Sequence, residues 1–146
     1  EAAKGNYLTT LYGSRQMAEN PGKTRGHIVM FGDWAAAETP YLNYLPYLTS
    51  KASIAFMNKA FALELSSQGI LVNAIAPGPT IRPENMSKES WASKVISQTP
   101  LGRESSGDEI AELVVILLKS ETLTGEMIRV DSGRHLAGAF LSRREE

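Results

Sequence analysis

The stretch Gly69-Ile70-Leu71-Val72-Asn73-Ala74-Ile75-Ala76-Pro77-Gly78 decides the fold. From Ile70 to Ala76 it is apolar with no polar–apolar alternation except Asn73, the pattern of a strand covered on both faces. Strands of that kind belong to parallel sheets, whose crossovers lay helices on either side. Working outward tests this. Upstream, Pro46 stands where proline is tolerated, at a first helical turn, and Ala52, Ala55, Phe56, Lys59, Ala60 and Leu63 continue a long helix to about Ser67. Before it, a loop punctuated by Pro40 and Pro46 leads back to a second apolar run, His27 to Phe31, ending at Gly32-Asp33. Residues 2–19 predict a further helix, stopped by Asn20-Pro21-Gly22. Downstream, the residues after Pro77-Gly78-Pro79 are irregular. Helices are predicted at about 87–97 and 106–119, then a last strand at 127–130 behind Gly125. The order α-β-α-β-α-α-β defines an α/β protein with a parallel sheet. The 146 residues read as one domain, with 134–146 as a polar tail. Three parallel strands make a small sheet with open edges, so the chain reads as part of a larger one.

Composition narrows the function classes. Apolar residues are 42% and charged residues 21%, the balance of a globular domain, and the net charge of −1 offers nothing to a nucleic acid. With no cysteine, disulfides and thiolate metal sites are excluded, and a cytoplasmic location is the expectation. The apolar runs are too short to cross a bilayer. No His, Asp and Glu set has metal-ligand spacing, so no metal is expected.

The chemistry concentrates at Tyr47-Leu48-Thr49-Ser50-Lys51. Residues four apart share a helix face, with Cβ atoms about 5–6 Å apart. Lowering a phenol from a pKa of about 10 to about 7 takes roughly 4 kcal/mol. A positive charge at about 4 Å supplies on the order of 4 kcal/mol at an effective dielectric of 20. Lysine can therefore tune the tyrosine to general acid–base work near neutral pH. The same spacing also occurs by chance on ordinary helices.

Tyr47-x-x-x-Lys51, Pro77-Gly78 and Val130-Asp131-x-Gly133 occur in one order with Asn6 upstream. Together they resemble the short-chain dehydrogenase/reductase family across nearly the whole chain. The resemblance implies the C-terminal part of a Rossmann-like doubly wound parallel sheet, and hydride transfer between a nicotinamide cofactor and a carbonyl, alcohol or imine. It implies Tyr47 as proton donor, Lys51 as ribose ligand and the group that lowers the tyrosine pKa, and Asn6 as a relay. Pro77, Gly78, Thr80 and Ile81 would pack around the nicotinamide. The expected cofactor is NADPH, with NADH open.

Two departures follow. The family's usual serine is replaced by Asp33, which cannot donate a hydrogen bond when ionised and opposes ionisation of a neighbouring phenol. That aspartate resembles the pteridine-reductase branch, as do Pro100-Leu101-Gly102-Arg103 and Gly133-Arg134-His135-Leu136. It points to a pterin-like substrate, with a carrier-bound 3-oxoacyl thioester, a sugar or another alcohol as the alternative, touched by Asp33, Trp34 and Tyr41. The second departure is that neither G-x-G-x-x-G nor G-x-x-x-G-x-G occurs in the chain, so the glycine-rich N-terminal βαβ half is lacking. These residues alone are then expected to be inactive, and a silent oligomerisation module is the third reading. A homodimer or homotetramer through the helices around 2–19 and 47–66 is expected.

Tyr44 reads as a rim or packing residue, Tyr7 and Tyr12 as core or interface, and Trp34 and Trp91 as packing. His27 reads as structural. Arg82 and Arg134 read as surface charges, Arg82 with an anionic ligand as the alternative, and His135 as tail or pocket lining.

Overall fold

The computed structural model describes residues 2–35 and 38–137. Its elements are α1 (Ala2–Met17), β1 (Gly26–Phe31), α2 (Leu45–Leu65), β2 (Ile70–Pro77), α3 (Lys88–Lys94), α4 (Gly107–Lys119) and β3 (Met127–Val130). Short 3-10 turns follow at Ser66–Gln68, Ile96–Gln98 and Arg134–Leu136. The three strands form one parallel sheet in the order β1-β2-β3. Gly26 pairs with Ile70 and Phe31 with Ile75 on one side, and Ala74 with Met127 and Pro77 with Val130 on the other.

β2 is central and buried from Ile70 to Ala76, as its unbroken apolar pattern requires. Alternate side chains leave a strand on opposite faces. Ile70, Val72 and Ala74 therefore join Met30 against Ile54, Ala62 and Leu65 of α2, with Met17, Met57 and Phe61 at the margin. Leu71 and Ile75 face the other way, where α4 packs on β1 and β2 with Leu117 fully buried. Asn73 points to that side without cost because both ends of its amide are used. Its Nδ2 donates to Leu123 O at 2.7 Å, and its Oδ1 accepts from Glu126 N at 3.2 Å.

Local chemistry accounts for the boundaries. Pro46 lies in the first turn of α2. Gly69 ends the following 3-10 turn in the left-handed region, φ 70°, where a Cβ would also meet Lys23 O at 2.2 Å. The Ser106 hydroxyl accepts from Glu109 N and caps α4. α1 ends at Met17, two residues before the sequence expectation, because Ala18–Asn20 close into successive turns. α3 stops at Lys94 rather than 97, since Val95 takes φ −118° and the chain tightens into a 3-10 turn. Residues 138–146 of the expected tail lie outside the described residues. Parallel alignment brings Asp33, Pro77-Gly78 and Asp131, the residues that follow β1, β2 and β3, to one edge of the sheet, where open α/β sheets bind ligands.

Candidate active site

Asp33 leaves β1 on a tight turn and is 7% exposed. Its Oδ1 accepts from Ala35 N at 2.9 Å, which locks the carboxylate rotamer, and its Oδ2 accepts the Tyr47 hydroxyl at 2.9 Å. The start of α2 carries Tyr47 to this point, and one turn on it carries Lys51. Lys51 Nζ donates to Phe31 O at 2.9 Å and lies 5.9 Å from the centroid of the Tyr47 ring. The structure thus brings Asp33, Tyr47 and Lys51 together at the carboxyl end of β1.

The electrostatics differ from the sequence expectation. Lysine was to lower the Tyr47 pKa, yet Tyr47 is pushed well above the ordinary tyrosine value. Burial is the largest cause, then the hydrogen bond to Asp33, the charge of Asp33 and that of Tyr41. The reason is geometric: the carboxylate touches the phenol oxygen, while the ammonium is engaged by a backbone carbonyl. Tyr41 is raised to about 12 by burial, then by Asp33 and Tyr44.

Aromatic residues continue from this pair. Trp34 stacks on Tyr41 with centroids 5.6 Å apart and planes at 10°, and Tyr41 meets Tyr44, and Tyr44 meets Tyr47, edge-on. Two hollows meet at Asp33 and Tyr41. One, of about 400 Å³, runs over the start of α2 past Leu45, Leu48, Lys51 and Ala52. The other, of about 410 Å³, is bounded by Asp33, Tyr47, Pro77, Gly78, by Trp34, expected to touch substrate, and by Trp91, expected to pack. This hollow unites the Tyr47 phenol with the segment after β2.

The remaining expected residues fall around this centre. Thr80 bonds back to Gly78 O at 3.0 Å, and Ile81 is 83% exposed. Asn6 shares the inner face of α1 with buried Thr10 and Ser14, but its amide donates to Ala2 O at 2.9 Å. Among the described residues no hydrogen bond joins Asn6 to Lys51.

The C-terminal segment supplies contacts that sequence reading missed. Arg129 of β3 donates through Nε to Trp34 O at 3.3 Å and pairs with Glu38 at 2.7 Å. Arg134, expected at the surface, is half-buried with its guanidinium 4.6 Å from the Trp34 ring centroid, and it donates to Gln98 Oε1. Asp131, 4% exposed, accepts from Gly133 N, His135 N and His135 Nδ1. The contacts of Arg129 and Arg134 with Trp34 and Glu38 join residues roughly a hundred positions apart, and no local signal announces them.

The comparisons agree with this geometry. A family model described as enoyl-(acyl carrier protein) reductase matches residues 2–135. The chain is 36% identical over 107 residues to glucose 1-dehydrogenase of Gluconobacter oxydans, covering 69% of this chain and 40% of that protein. It is 33% identical over 135 residues to pteridine reductase 1 of Leishmania tarentolae, covering 86% of this chain and 45% of that protein. Among solved structures, alternative dihydrofolate reductase 1 (FolM) of Brucella canis, complexed with NADP, superposes with a TM-score of 0.76 at 28% identity. The match covers 92% of this chain and 53% of that one. The α/β fold with its parallel sheet and the family match agree, and the chain belongs to the short-chain dehydrogenase/reductase family. It spans about half the length of the relatives it matches. A sugar dehydrogenase and a pteridine reductase match comparably well, so family membership leaves the substrate open.

Proposed function

We propose that Tyr47 is the proton donor of an NADPH-dependent reductase of a carbonyl or imine substrate, with a pterin-like heterocycle as the leading candidate. The observation that carries this reading is the 2.9 Å Tyr47–Asp33 hydrogen bond at the wall of the second hollow. A phenol raised in pKa by burial and a carboxylate stays loaded with its proton at neutral pH, the form a reductase needs.

The residues present fit the nicotinamide end of the cofactor. A lysine ammonium has three donors, and Phe31 O takes one of those of Lys51, which leaves two for the ribose hydroxyls. Pro77 and Gly78 bound the hollow offered to the ring, with Thr80 and Ile81 next along the chain. The cofactor, when bound, supplies the hydride to the substrate carbon. Tyr47 turns its O–H from Asp33 to the substrate oxygen or nitrogen and releases the proton there. The phenolate left behind lies against the Asp33 carboxylate, and that repulsion favours reprotonation, which Lys51 and Asn6 serve as a relay. Asp33 accepts an N–H from the substrate, and the Trp34–Tyr41 stack walls the space it enters. A serine in its place would instead suit a simple ketone.

The same reading includes a homodimer or homotetramer through α1 and α2, supported by exposed Tyr7, Tyr12, Phe56 and Leu63 on those helices. It places the reaction in the cytoplasm, where NADPH is supplied. The test is substrate preference in the full-length protein. Asp33→Ser should cost more activity on a pterin than on a simple ketone, and an unchanged preference argues for the alternative sugar or acyl-thioester substrates.

A further inference from the structure

Besides stacking on Tyr41, Trp34 is held in three ways, one from the end of β2, one from β3 and one from the turn after β3. Its N–H donates to Pro77 O at 3.1 Å, its carbonyl accepts from Arg129, and its ring lies under the Arg134 guanidinium. Arg134 lines neither hollow, whereas Trp34 walls the one that contains Tyr47. The guanidinium is itself fixed, by Gln98 Oε1 and by the charge of buried Asp131. Burial nevertheless disfavours its charge, so the cation is partly desolvated, which strengthens the hold of an ion over an indole face.

We propose that Arg134 is the positioning residue of this site. By clamping the Trp34 indole it fixes the Asp33–Ala35 turn, and so the carboxylate that receives the Tyr47 hydroxyl. The proposal rests on the reading of Tyr47 and Asp33 given above. Asp33 and Trp34 are adjacent, and Asp33 Oδ1 bonds to Ala35 N, so a tilt of the indole moves the carboxylate with it. The planar fork matters as well as the charge: lysine cannot stack on indole and bond Gln98 at the same time. Among the described residues the ionisable groups near Tyr47 are Asp33, Tyr41, Tyr44 and Lys51, and Arg134 reaches it through Trp34, by way of Asp33 and of the stacked Tyr41.

The test uses the full-length protein labelled with 5-fluorotryptophan, the Trp34 resonance being assigned by its loss in Trp34→Phe. Arg134→Met should shift or broaden that resonance, raise KM for a carbonyl or imine substrate about tenfold with a smaller change in kcat, and move the alkaline limb of kcat/KM to lower pH. The tenfold figure is what loss of a shielded cation–π contact of this kind corresponds to. Arg134→Lys should recover less than half of each effect. A Trp34 resonance left in place with KM within about twofold overturns the proposal, as does full recovery by lysine. Tyr47→Phe serves as the control: if it keeps turnover, the proton-donor reading fails, and the resonance alone then judges the clamp.

Discussion

Replacing Gly78 by alanine puts a methyl carbon 2.5 Å from Asp131 Cα and 2.6 Å from Asp131 Cβ. Ordinary carbon contacts begin near 3.5 Å, so the two segments must part by about 1 Å. Neither side is free to move. Gly78 N donates to Val130 O at 2.9 Å, and the Asp131 carboxylate holds Gly133 N at 3.1 Å and His135 N at 2.9 Å. Overpacking of a site that cannot relax costs about 3 kcal/mol, at the upper end of the usual range. In a protein of this size that lowers Tm by about 10 °C. The assay is urea denaturation of Gly78→Ala beside Gly107→Ala, whose added Cβ meets nothing within 4 Å and should be neutral or slightly stabilising. The urea midpoint should fall with its slope unchanged. Because Pro77 O accepts from Trp34 N, substrate affinity should weaken too. A loss below about 1 kcal/mol, indistinguishable from the Gly107 variant, would refute the close β2–β3 approach on which this site is built.

Two further outcomes follow from the acid–base geometry. Asp33→Asn keeps an oxygen for Ala35 N but removes the charge beside Tyr47, so the tyrosine pKa should fall. Reduction needs the protonated phenol, so the alkaline limb of kcat/KM should appear at lower pH than in the parent; an unmoved limb contradicts the role given to Asp33. Stability should also depend on alkaline pH. Tyr41, raised to about 12, and Tyr47, raised further, both hold protons that the unfolded chain releases near its ordinary value of about 10. Their contribution is complete below about pH 10 and is lost as pH rises through the folded values, so the urea midpoint should decline from about pH 10 upward. A midpoint that stays flat to about pH 11 rules this out.

The sheet was readable because Ile70–Ala76 has a single interpretation: an unbroken apolar run must be covered twice, and the flanking helical patterns supply the covers. Pro46, Gly69 and Ser106 marked helix ends for reasons local to the backbone, and those ends hold to within a residue or two. The helix ends at Lys94 and Met17 were less legible, because over the roughly three residues of a terminal turn a pattern of 3.0 residues per turn cannot be told from one of 3.6. At the site, Tyr47, Lys51 and Asp33 could be picked out by residue type and order. The balance between them could not, because it depends on whether the carboxylate or the ammonium reaches the phenol oxygen. Arg134 reads as a surface charge and Arg129 carries no sequence signal, since only the parallel register brings β3 and the turn after it beside Trp34.

The central claim is that the Tyr47 hydroxyl delivers the proton. Its most direct test is the single-turnover rate of NADPH oxidation by Tyr47→Phe in the full-length protein, with cofactor affinity measured alongside by fluorescence. General-acid catalysis of this kind contributes on the order of a hundred- to ten-thousand-fold. The rate is expected to fall by at least a hundredfold while NADPH affinity stays within about threefold of the parent. A variant that still turns over within about tenfold of the parent rate would show that another group supplies the proton.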